Sequence, residues 1–515
     1  MKRNVCLLIL IFFSAGVFAQ DEVDQEMMKK IRDEGLQHSQ VMYIAHYLTD
    51  VSGPRLTNSP GYIKASNWAV QEMKSWGLSN AQLDAWGKFG PGWSMQKCYA
   101  AMKAPYYHPL IAYPYAWTKG TNGLTAAPVV VISTLDADSV NAHNYDLKGK
   151  IVLVRTENKI PSPFKHFAER YSDSSLAKLN DMYMLAPEMT SMIKTYITHM
   201  INAVKAIQSK GALAILTTNT GDRDGTIEAD TWWGGKGQFP DMTELAVSPE
   251  DYLRMQRLIE SNIPVQMELD IQTAFNKDHD NGYNVVAEIP GTDQALKDEV
   301  VMLGGHLDSW YSGTGATDNG AGSAVMMEAI RILKALDVHP KRTIRIALWS
   351  GEEQGLYGSY GYVRKYLGDP TTMKLMPAQK NISAYYNLDN GTGKIRGIFT
   401  QKNDAAGQIF SKWIEPFNDL GVTTISNKNT GSTDHLSFDA IGIPGFQFIQ
   451  DPIEYETRTH HTNMDTYDHL QAEDLQQAAT VIAAFVYNTA MRKDKIPRKP
   501  LPKAGPWIFD FLTTP

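Results

Sequence analysis

Histidines and acidic residues cluster at the ends of predicted strands in the second half of the chain. In an open α/β sheet, the carboxyl ends of the strands form the crevice in which ligands bind. We therefore expect these side chains to meet at one edge of a sheet. The candidates are His306, Asp308, Asp318, Glu352, Glu353, Asp389, His460 and His461.

Two histidines and three acids from separate loops form a ligand set for a pair of Zn²⁺ ions, in which one carboxylate bridges and the others bind terminally. Asp308 lies two residues after His306 and is suited to accept the proton on the other ring nitrogen of that histidine. Glu352 adjoins Glu353, so one carboxylate can bind a metal while its neighbour moves a proton. Each fragment alone also occurs in structural loops and on solvated surfaces, and only their joint occurrence favours a metal site.

Alternating strands and helices must position these residues. Apolar and β-branched runs predict strands at 284–289, 299–303, 343–349, 382–388 and 445–449. Helical periodicity is present at 23–50, where Gly35 is a predicted interruption, and at 66–76, 319–336 and 472–491. This alternation predicts an α/β fold with a mixed, mostly parallel sheet and helices on both faces.

A further α/β module precedes the second half of the chain. Strands are predicted at 127–133, 148–155 and 212–217, with a long helical pattern at 176–209. Ser248 and Pro249 have the residue types that begin a helix. We expect a catalytic domain formed by 20–122 and 276–492, an insert at 123–275 and a C-terminal tail at 493–515.

The first nineteen residues have the pattern of a secretory signal peptide. Lys2 and Arg3 precede an apolar run that is too short to span a bilayer, and small residues precede a cleavage point after Ala19. The sequence therefore predicts an exported protein, periplasmic or extracellular. Without the leader, Cys98 is the single cysteine, so no intramolecular disulfide can form. We expect it to act as a small buried hydrophobe, with a catalytic thiol as the alternative.

Composition argues against several classes of protein. The length of 515 residues is typical of two or three folded domains. The content of 43% hydrophobic and 20% charged residues argues against disorder or a coiled coil. Loss of the two positive charges of the leader changes the formal net charge from −7 to −9. Nucleic acid is therefore not an expected partner.

Taken together, the motifs resemble the co-catalytic dinuclear zinc exopeptidases, over about residues 30–490. The sequences Gly-His-Leu-Asp-Ser-Trp at 305–310 and His-His-Thr at 460–462 are most similar to the carboxypeptidase Q branch. The family pattern His-Thr/Ser-x-x-Asp-Thr fits 461–466 and so favours His461 over His460. The roles that the resemblance implies are one zinc on His306 and Asp389, the other on Glu353 and His461, a bridge at Asp318 and a general base at Glu352.

The resemblance also extends to the regions around this site. Residues 123–275 resemble the protease-associated domain that some members of the family insert. The segment 432–435 corresponds to a loop near the substrate in relatives, although a turn that packs the sheet edge explains it equally well. Trp232 and Trp233 are candidates for pocket walls, with packing inside a loop as the alternative.

The function that the resemblance implies is hydrolysis of short peptides by metal-activated water, with dipeptides as the expected substrates. An aminopeptidase for longer peptides is the alternative within this class. A receptor-like ectodomain without its metal site and a one-zinc glutaminyl cyclase are alternatives of other classes, against which the intact ligand set and the large insert argue. Expected partners are two Zn²⁺ ions per chain, a short peptide and, as an option, a second copy of the chain in a homodimer. Neither nucleic acid nor a membrane is expected.

Overall fold

The computed structural model describes residues 23–160, 164, 166–181, 187–219, 221, 224–231, 241–277 and 280–507. The predicted leader at 1–19 and the two tryptophans Trp232 and Trp233 lie outside these residues. Within these ranges, no helix has both the length and the apolar character needed to cross a membrane.

The strands follow one another along the described chain in the following order. They are β1 (Ser79–Lys88), β2 (Gly92–Ala104), β3 (His108–Pro109), β4 (Ala112–Pro114), β5 (Thr125–Ile132), β6 (Ile151–Val154), β7 (Ala214–Thr217), β8 (Thr243–Val247), β9 (Gln266–Asn276), β10 (Asn281–Ile289), β11 (Val300–His306), β12 (Thr343–Trp349), β13 (Gly368–Asp369), β14 (Lys374–Leu375), β15 (Ile382–Asn387), β16 (Ile395–Phe399), β17 (Thr424–Ser426) and β18 (Gly445–Gln450).

The α-helices are α1 (Gln25–Gln37), α2 (Val41–His46), α3 (Pro60–Ser75), α4 (Ala137–Ala142), α5 (Asp173–Leu176), α6 (Pro187–Ser209), α7 (Pro249–Glu260), α8 (Ala321–Ala335), α9 (Tyr357–Tyr366), α10 (Asp404–Trp413), α11 (His435–Asp439) and α12 (Ala472–Met491). Ser248 caps α7, as its sequence predicts, because its side chain accepts a hydrogen bond from the backbone N–H of Asp251.

The first sheet has the strand order β1-β10-β12-β11-β15-β18-β16-β17. Its central strands β12, β11, β15 and β18 are parallel, and antiparallel pairs occur toward both edges. Val301 and Leu303 of β11 belong to the same apolar cluster as residues of α8 and α12, whereas Met302 packs in a cluster with residues of α9 and α11. The predicted mixed, mostly parallel sheet with helices on both faces is therefore confirmed.

Helix α1 continues through Gly35, so the predicted interruption there is wrong. A Cβ atom at this position would lie 2.2 Å from Oγ1 of Thr480 in α12. The glycine therefore allows α1 and α12 to approach closely. Its role is in packing, and it does not mark the end of a helix.

The second sheet has the strand order β3-β2-β9-β5-β6-β7-β8-β4, with β5 to β8 parallel. Strand β2 pairs with β9 along most of its length, so residues from Gly92 onward join this sheet. The second sheet thus begins before residue 123, where the sequence analysis starts the insert. The early strands lacked a clear signal because glycines, prolines and aromatic residues interrupt their alternation. We call residues 92–276 the insert unit from here on.

Contacts between the insert unit and the first sheet with its loops include two groups of polar interactions. Arg170 places Nη1 3.0 Å from Asp451 Oδ2 and 2.7 Å from Asp474 Oδ2. Ile227 donates its backbone N–H to Asn463 Oδ1 at 2.7 Å and accepts from the Asn463 N–H at 3.1 Å. The second group fixes the insert unit against the loop that contains His461.

Candidate active site

Five predicted ligands converge at the carboxyl end of the first sheet. His306 ends β11, Glu353 follows β12, Asp389 follows β15 and His461 lies beyond β18, while Asp318 belongs to the loop between β11 and α8. Since these four strands are parallel neighbours, their ends bring the side chains together. The structure thus groups five residues that are up to 155 positions apart in sequence.

The first group consists of His306, Asp318 and Asp389, all of which are buried. The His306 Nε2 atom lies 3.2 Å from Asp318 Oδ1 and 3.2 Å from Asp389 Oδ1. Its other ring nitrogen, Nδ1, is 3.0 Å from the backbone oxygen of Asp308. A proton on Nδ1 therefore leaves the Nε2 lone pair directed toward the two carboxylates.

The second group consists of His461, Glu353 and the same Asp318. The His461 Nε2 atom lies 3.0 Å from Glu353 Oε2 and 3.2 Å from Asp318 Oδ2. Asp318 thus directs one oxygen to each histidine. A carboxylate placed in this way has the geometry of a bridge between two cations.

The spacing of the atoms in both groups suits divalent metal ions. Ligand atoms bound at 2.0–2.1 Å in a tetrahedral arrangement are about 3.3 Å apart, close to the 3.0–3.2 Å found between these nitrogen and oxygen atoms. His306, Asp318 and Asp389 place one possible ligand atom each within 4.8 Å of one another. Imidazole nitrogens with carboxylate oxygens form a donor set that zinc accepts.

The electrostatics of the site favour positive charge between the carboxylates. Burial alone lowers the pKa of His306, but Asp389 and Glu352 raise it well above its ordinary value. The pKa of His461 is also raised, against burial, by Glu353, Asp230 and Asp318. Burial together with Asp318 raises the pKa of Glu353 to about 8. A cation held between these groups would lower the free energy of the charged carboxylates.

Glu352 faces the first group without belonging to it. Its Oε2 atom lies 3.9 Å from His306 Nε2. Burial, with repulsion from Asp389 and Asp434, raises the pKa of Glu352 well above that of a free glutamate, although His306 opposes the shift. A carboxyl group with a raised pKa beside a metal-binding cluster is suited to accept and return a proton.

Asp308 lies beside the His306 ring, where its predicted role stays a prediction, and it also contacts the turn after β12. Its Oδ1 atom is 3.7 Å from His306 Nδ1, and the closer partner of that nitrogen is the Asp308 backbone oxygen. The carboxylate instead accepts from Thr57 Oγ1 at 3.1 Å and from the backbone N–H groups of Glu352 and Glu353 at 3.3 and 3.4 Å. Asp308 therefore holds the turn that presents both glutamates.

Asp465 and Arg55 support the site without any role in the sequence analysis. Asp465 is buried, and its carboxylate accepts the backbone N–H groups of Thr317 at 2.5 Å and Asp318 at 3.0 Å. Arg55 is fully buried and donates to the backbone oxygens of Leu307, Leu48, Thr314 and Gly315. The His461–Thr466 pattern contains Asp465 and was a usable signal, whereas nothing near Arg55 in the sequence indicates its position.

The insert unit also contributes Asp230, which the sequence analysis missed. Its Oδ2 atom lies 3.2 Å from His461 Nδ1, so it can accept the proton on that nitrogen and direct Nε2 toward Glu353 and Asp318. Residue 228 of the same segment forms an isolated β-bridge with Thr462. No motif links Asp230 to His461, because the two residues are 231 positions apart in sequence.

The remaining candidates lie around this centre. His460 stacks on His461 with ring centroids 3.8 Å apart, and its Nε2 is 3.6 Å from Asp318 Oδ2. In the segment 432–435, Asp434 and His435 are fully buried, which matches a packing turn, while Asp434 also raises the pKa of Glu352. Cys98 donates its Sγ–H to the backbone oxygen of Ala112, and burial raises the pKa of the thiol to about 11. A thiol with this pKa is a poor nucleophile at neutral pH.

Comparison with known proteins agrees with this geometry. The profile of peptidase family M28 matches residues 284–486, the range that contains all five ligand candidates and Glu352. This part of the chain is similar to the peptidases of family M28.

Relatives and solved structures extend the M28 similarity beyond that range. Carboxypeptidase Q of Bos taurus is 27% identical over 88% of this chain and 85% of its own length. A peptidase M28 precursor from Shewanella amazonensis is 25% identical, with a TM-score of 0.67 over 93% of this chain and 98% of that structure. A zinc aminopeptidase from Bacillus subtilis shares the fold, with 20% identity and a TM-score of 0.56 over 89% of this chain and 96% of its own.

Substitution of Asp465 by Asn tests the support of the predicted bridge. The amide keeps one acceptor but presents N–H to a backbone N–H, so the loop that carries Asp318 should lose its fixed position. We expect Asp465→Asn to weaken divalent metal binding about 10- to 100-fold in chelator competition. Asp468→Asn, at an exposed position three residues on, should leave affinity unchanged. Equal affinities for the two variants would contradict the role of Asp465.

Proposed function

We propose that the chain is an exported zinc-dependent exopeptidase that holds two Zn²⁺ ions and hydrolyses short peptides, dipeptides first. The observation that carries this proposal is the position of Asp318, with one oxygen 3.2 Å from His306 and the other 3.2 Å from His461. In this proposal, His306 and Asp389 would hold one ion, Glu353 and His461 would hold the other, and Asp318 would contribute to both.

Zinc is the proposed metal because the donors are two imidazoles and three carboxylates. The name of the Bacillus subtilis zinc aminopeptidase, which shares the fold, agrees with this choice. When bound, zinc would supply a Lewis acid that lowers the pKa of water and polarises the peptide carbonyl.

Glu352 is the proposed general base. Its carboxylate lies beside the first group, and its raised pKa favours both acceptance of a proton from the attacking water and its delivery to the leaving amine. Asp308 holds the backbone of the turn that presents Glu352, and Asp230 fixes the ring of His461. No covalent acyl-enzyme is required.

Restriction to chain ends is supported by the insert unit, which meets the site through Asp230 and the Ile227–Asn463 hydrogen bonds. A wall at this position favours substrates that end near the metal ions. A relative along most of the chain bears the name carboxypeptidase Q, and a carboxypeptidase cleaves at a chain end. An aminopeptidase for longer peptides is the second candidate, because the Bacillus subtilis structure bears that name.

The export part of the proposal rests on the leader pattern at 1–19. Receptor-like and glutaminyl cyclase functions are less well supported, since the complete donor set and the M28 match favour peptide hydrolysis.

The two adjacent glutamates should have separable effects. We expect Glu352→Gln to keep its metal content while turnover falls about 100-fold or more, because it removes proton transfer alone. Glu353→Gln should lose one metal ion per chain, since it removes a proposed ligand. Metal analysis beside steady-state kinetics distinguishes the two roles. Equal metal loss in both variants would refute the division.

Removal of metal should lower stability as well as activity. Without cations, the buried carboxylates lose their main source of compensation, and a bound ligand adds to the free energy of unfolding. We expect verified chelation to lower the melting temperature by about 5 °C or more, and zinc to restore it. Calorimetry makes the measurement, and an unchanged melting temperature would show that the site does not need the ions for stability.

A series of blocked peptides tests the exopeptidase proposal. Free dipeptides should be cleaved, whereas a long peptide blocked at both ends should resist cleavage, because its termini cannot reach the walled site. Comparison of N-acetylated with C-amidated peptides by chromatography identifies the recognised end. Efficient internal cleavage would exclude an exopeptidase, and preference for a free amino terminus regardless of length would select the aminopeptidase.

A further inference from the structure

The insert unit contains a cavity of about 340 Å³ that the reaction described above does not use. It lies beneath α6, which contributes Tyr196, Ile197 and Met200, and beside Val154 and Thr217 at the ends of β6 and β7. Its volume falls within the range of small-ligand sites, and the carboxyl ends of parallel strands are a common location for such sites.

One wall of the cavity contains a buried acid, Glu244, which is 6% exposed. Among the described residues, no hydrogen bond or ion pair reaches its carboxylate. Arg155 also lines the cavity, but its Nε atom is 2.9 Å from Glu157 and 3.4 Å from Glu260, so its charge is already engaged. Burial without a partner raises the pKa of Glu244 to about 7. A cation bound beside this carboxylate would compensate for its burial.

The surroundings of Glu244 divide into a polar and an apolar part. Tyr115 and Thr217 form a hydroxyl pair 2.9 Å apart on the lining. Ile197, Met200 and Ile215 contribute apolar surface. An acid with hydroxyl groups on one side and aliphatic side chains on the other suits a ligand that ends in an ammonium group and carries methylenes behind it.

The cavity adjoins the candidate active site through Asp230. This residue lines the cavity, and its Oδ2 atom lies 3.2 Å from His461 Nδ1. A group in the cavity is therefore one side chain away from a proposed metal ligand. We therefore expect a substrate residue next to the cleaved bond to extend from the proposed metal ligands into the cavity.

We propose that this cavity is a specificity pocket for an ammonium group of the substrate, with Glu244 as the counter-charge. The proposal rests on the proposed peptidase function. The ammonium group belongs either to a lysine-like side chain or to the amino terminus of the peptide, two sources with the same chemistry.

Binding of a probe tests the pocket independently of hydrolysis. n-Butylamine carries the ammonium and methylenes, and n-butanol lacks the charge. We expect calorimetry on the metal-loaded protein to detect butylamine binding that Glu244→Gln weakens about tenfold or more, while butanol is unaffected. Glu268→Gln removes a carboxylate that pairs with Lys103 in the same unit, and should match the unmodified protein. Equal butylamine binding by Glu244→Gln and Glu268→Gln, or no binding by the unmodified protein, would overturn the proposal.

Dipeptide kinetics then identify the source of the ammonium group. If it is a side chain, the unmodified enzyme should prefer lysine over norleucine about tenfold or more, and Glu244→Gln should abolish this preference while Ala-Ala is cleaved as before. If it is the amino terminus, Glu244→Gln should slow every free-amino dipeptide equally and leave N-acetylated ones unchanged. Loss of rate on acetylated and free peptides alike would contradict both.

A second variant keeps the proposal testable if Glu244→Gln does not fold. Met200→Trp narrows the cavity from α6 and leaves the acid in place. It should weaken butylamine binding about tenfold, with unchanged metal content. Full butylamine affinity in this variant would place the amine elsewhere. Failure of the unmodified protein to bind metal or cleave Ala-Ala would count against the proposed function, whereas the butylamine result decides on the pocket.

Discussion

The burial of several carboxyl groups at one end of the first sheet is the constraint to which the surrounding structure responds. Burial raises the pKa of Asp308, Glu352, Glu353, Asp434 and Asp465. Such groups are tolerated in a folded chain only when hydrogen bonds or opposite charges compensate them. Backbone N–H groups serve Asp308 and Asp465, while His306 lies beside Glu352 and His461 lies beside Glu353. Fully buried Arg55 adds a positive charge behind the site, with a pKa of about 10.

Parallel strands make this concentration of charge possible. Each strand delivers one loop to the same edge, so ligands can come from distant parts of the chain while their backbones remain fixed by the sheet. Close packing completes the arrangement at Gly322 in the first turn of α8. A Cβ atom there would lie 2.2 Å from Asn319 Oδ1 and 2.3 Å from the Leu388 backbone oxygen. The absence of a side chain lets α8 approach the loop that carries Asp389.

The sequence was sufficient for the elements with a strong local pattern. The strand at 343–349 and the helix at 472–491 have the predicted bounds, because apolar residues dominate both segments. The grouping of His306, Asp318, Glu353, Asp389 and His461 was predictable, since acids and histidines directly follow strands; their individual roles stay predictions. Contacts between remote segments were not predictable. Asp230 and Arg55 reach the site through tertiary packing alone. The hydrogen bonds of the Asp308 carboxylate were not predictable either, because they form with a turn that only the folded chain defines.

The contact between Asp230 and His461 couples the position of the insert unit to the orientation of the His461 ring. A hinge motion that moved the insert unit away from the first sheet would have to break this hydrogen bond and release the His461 ring. Any equilibrium between open and closed forms is therefore thermodynamically linked to the orientation of that ring. By reciprocity, whatever strengthens the interaction of His461 with its neighbours also shifts the population toward the closed form. In such a motion, the ligand candidates would help to hold the insert unit against the first sheet.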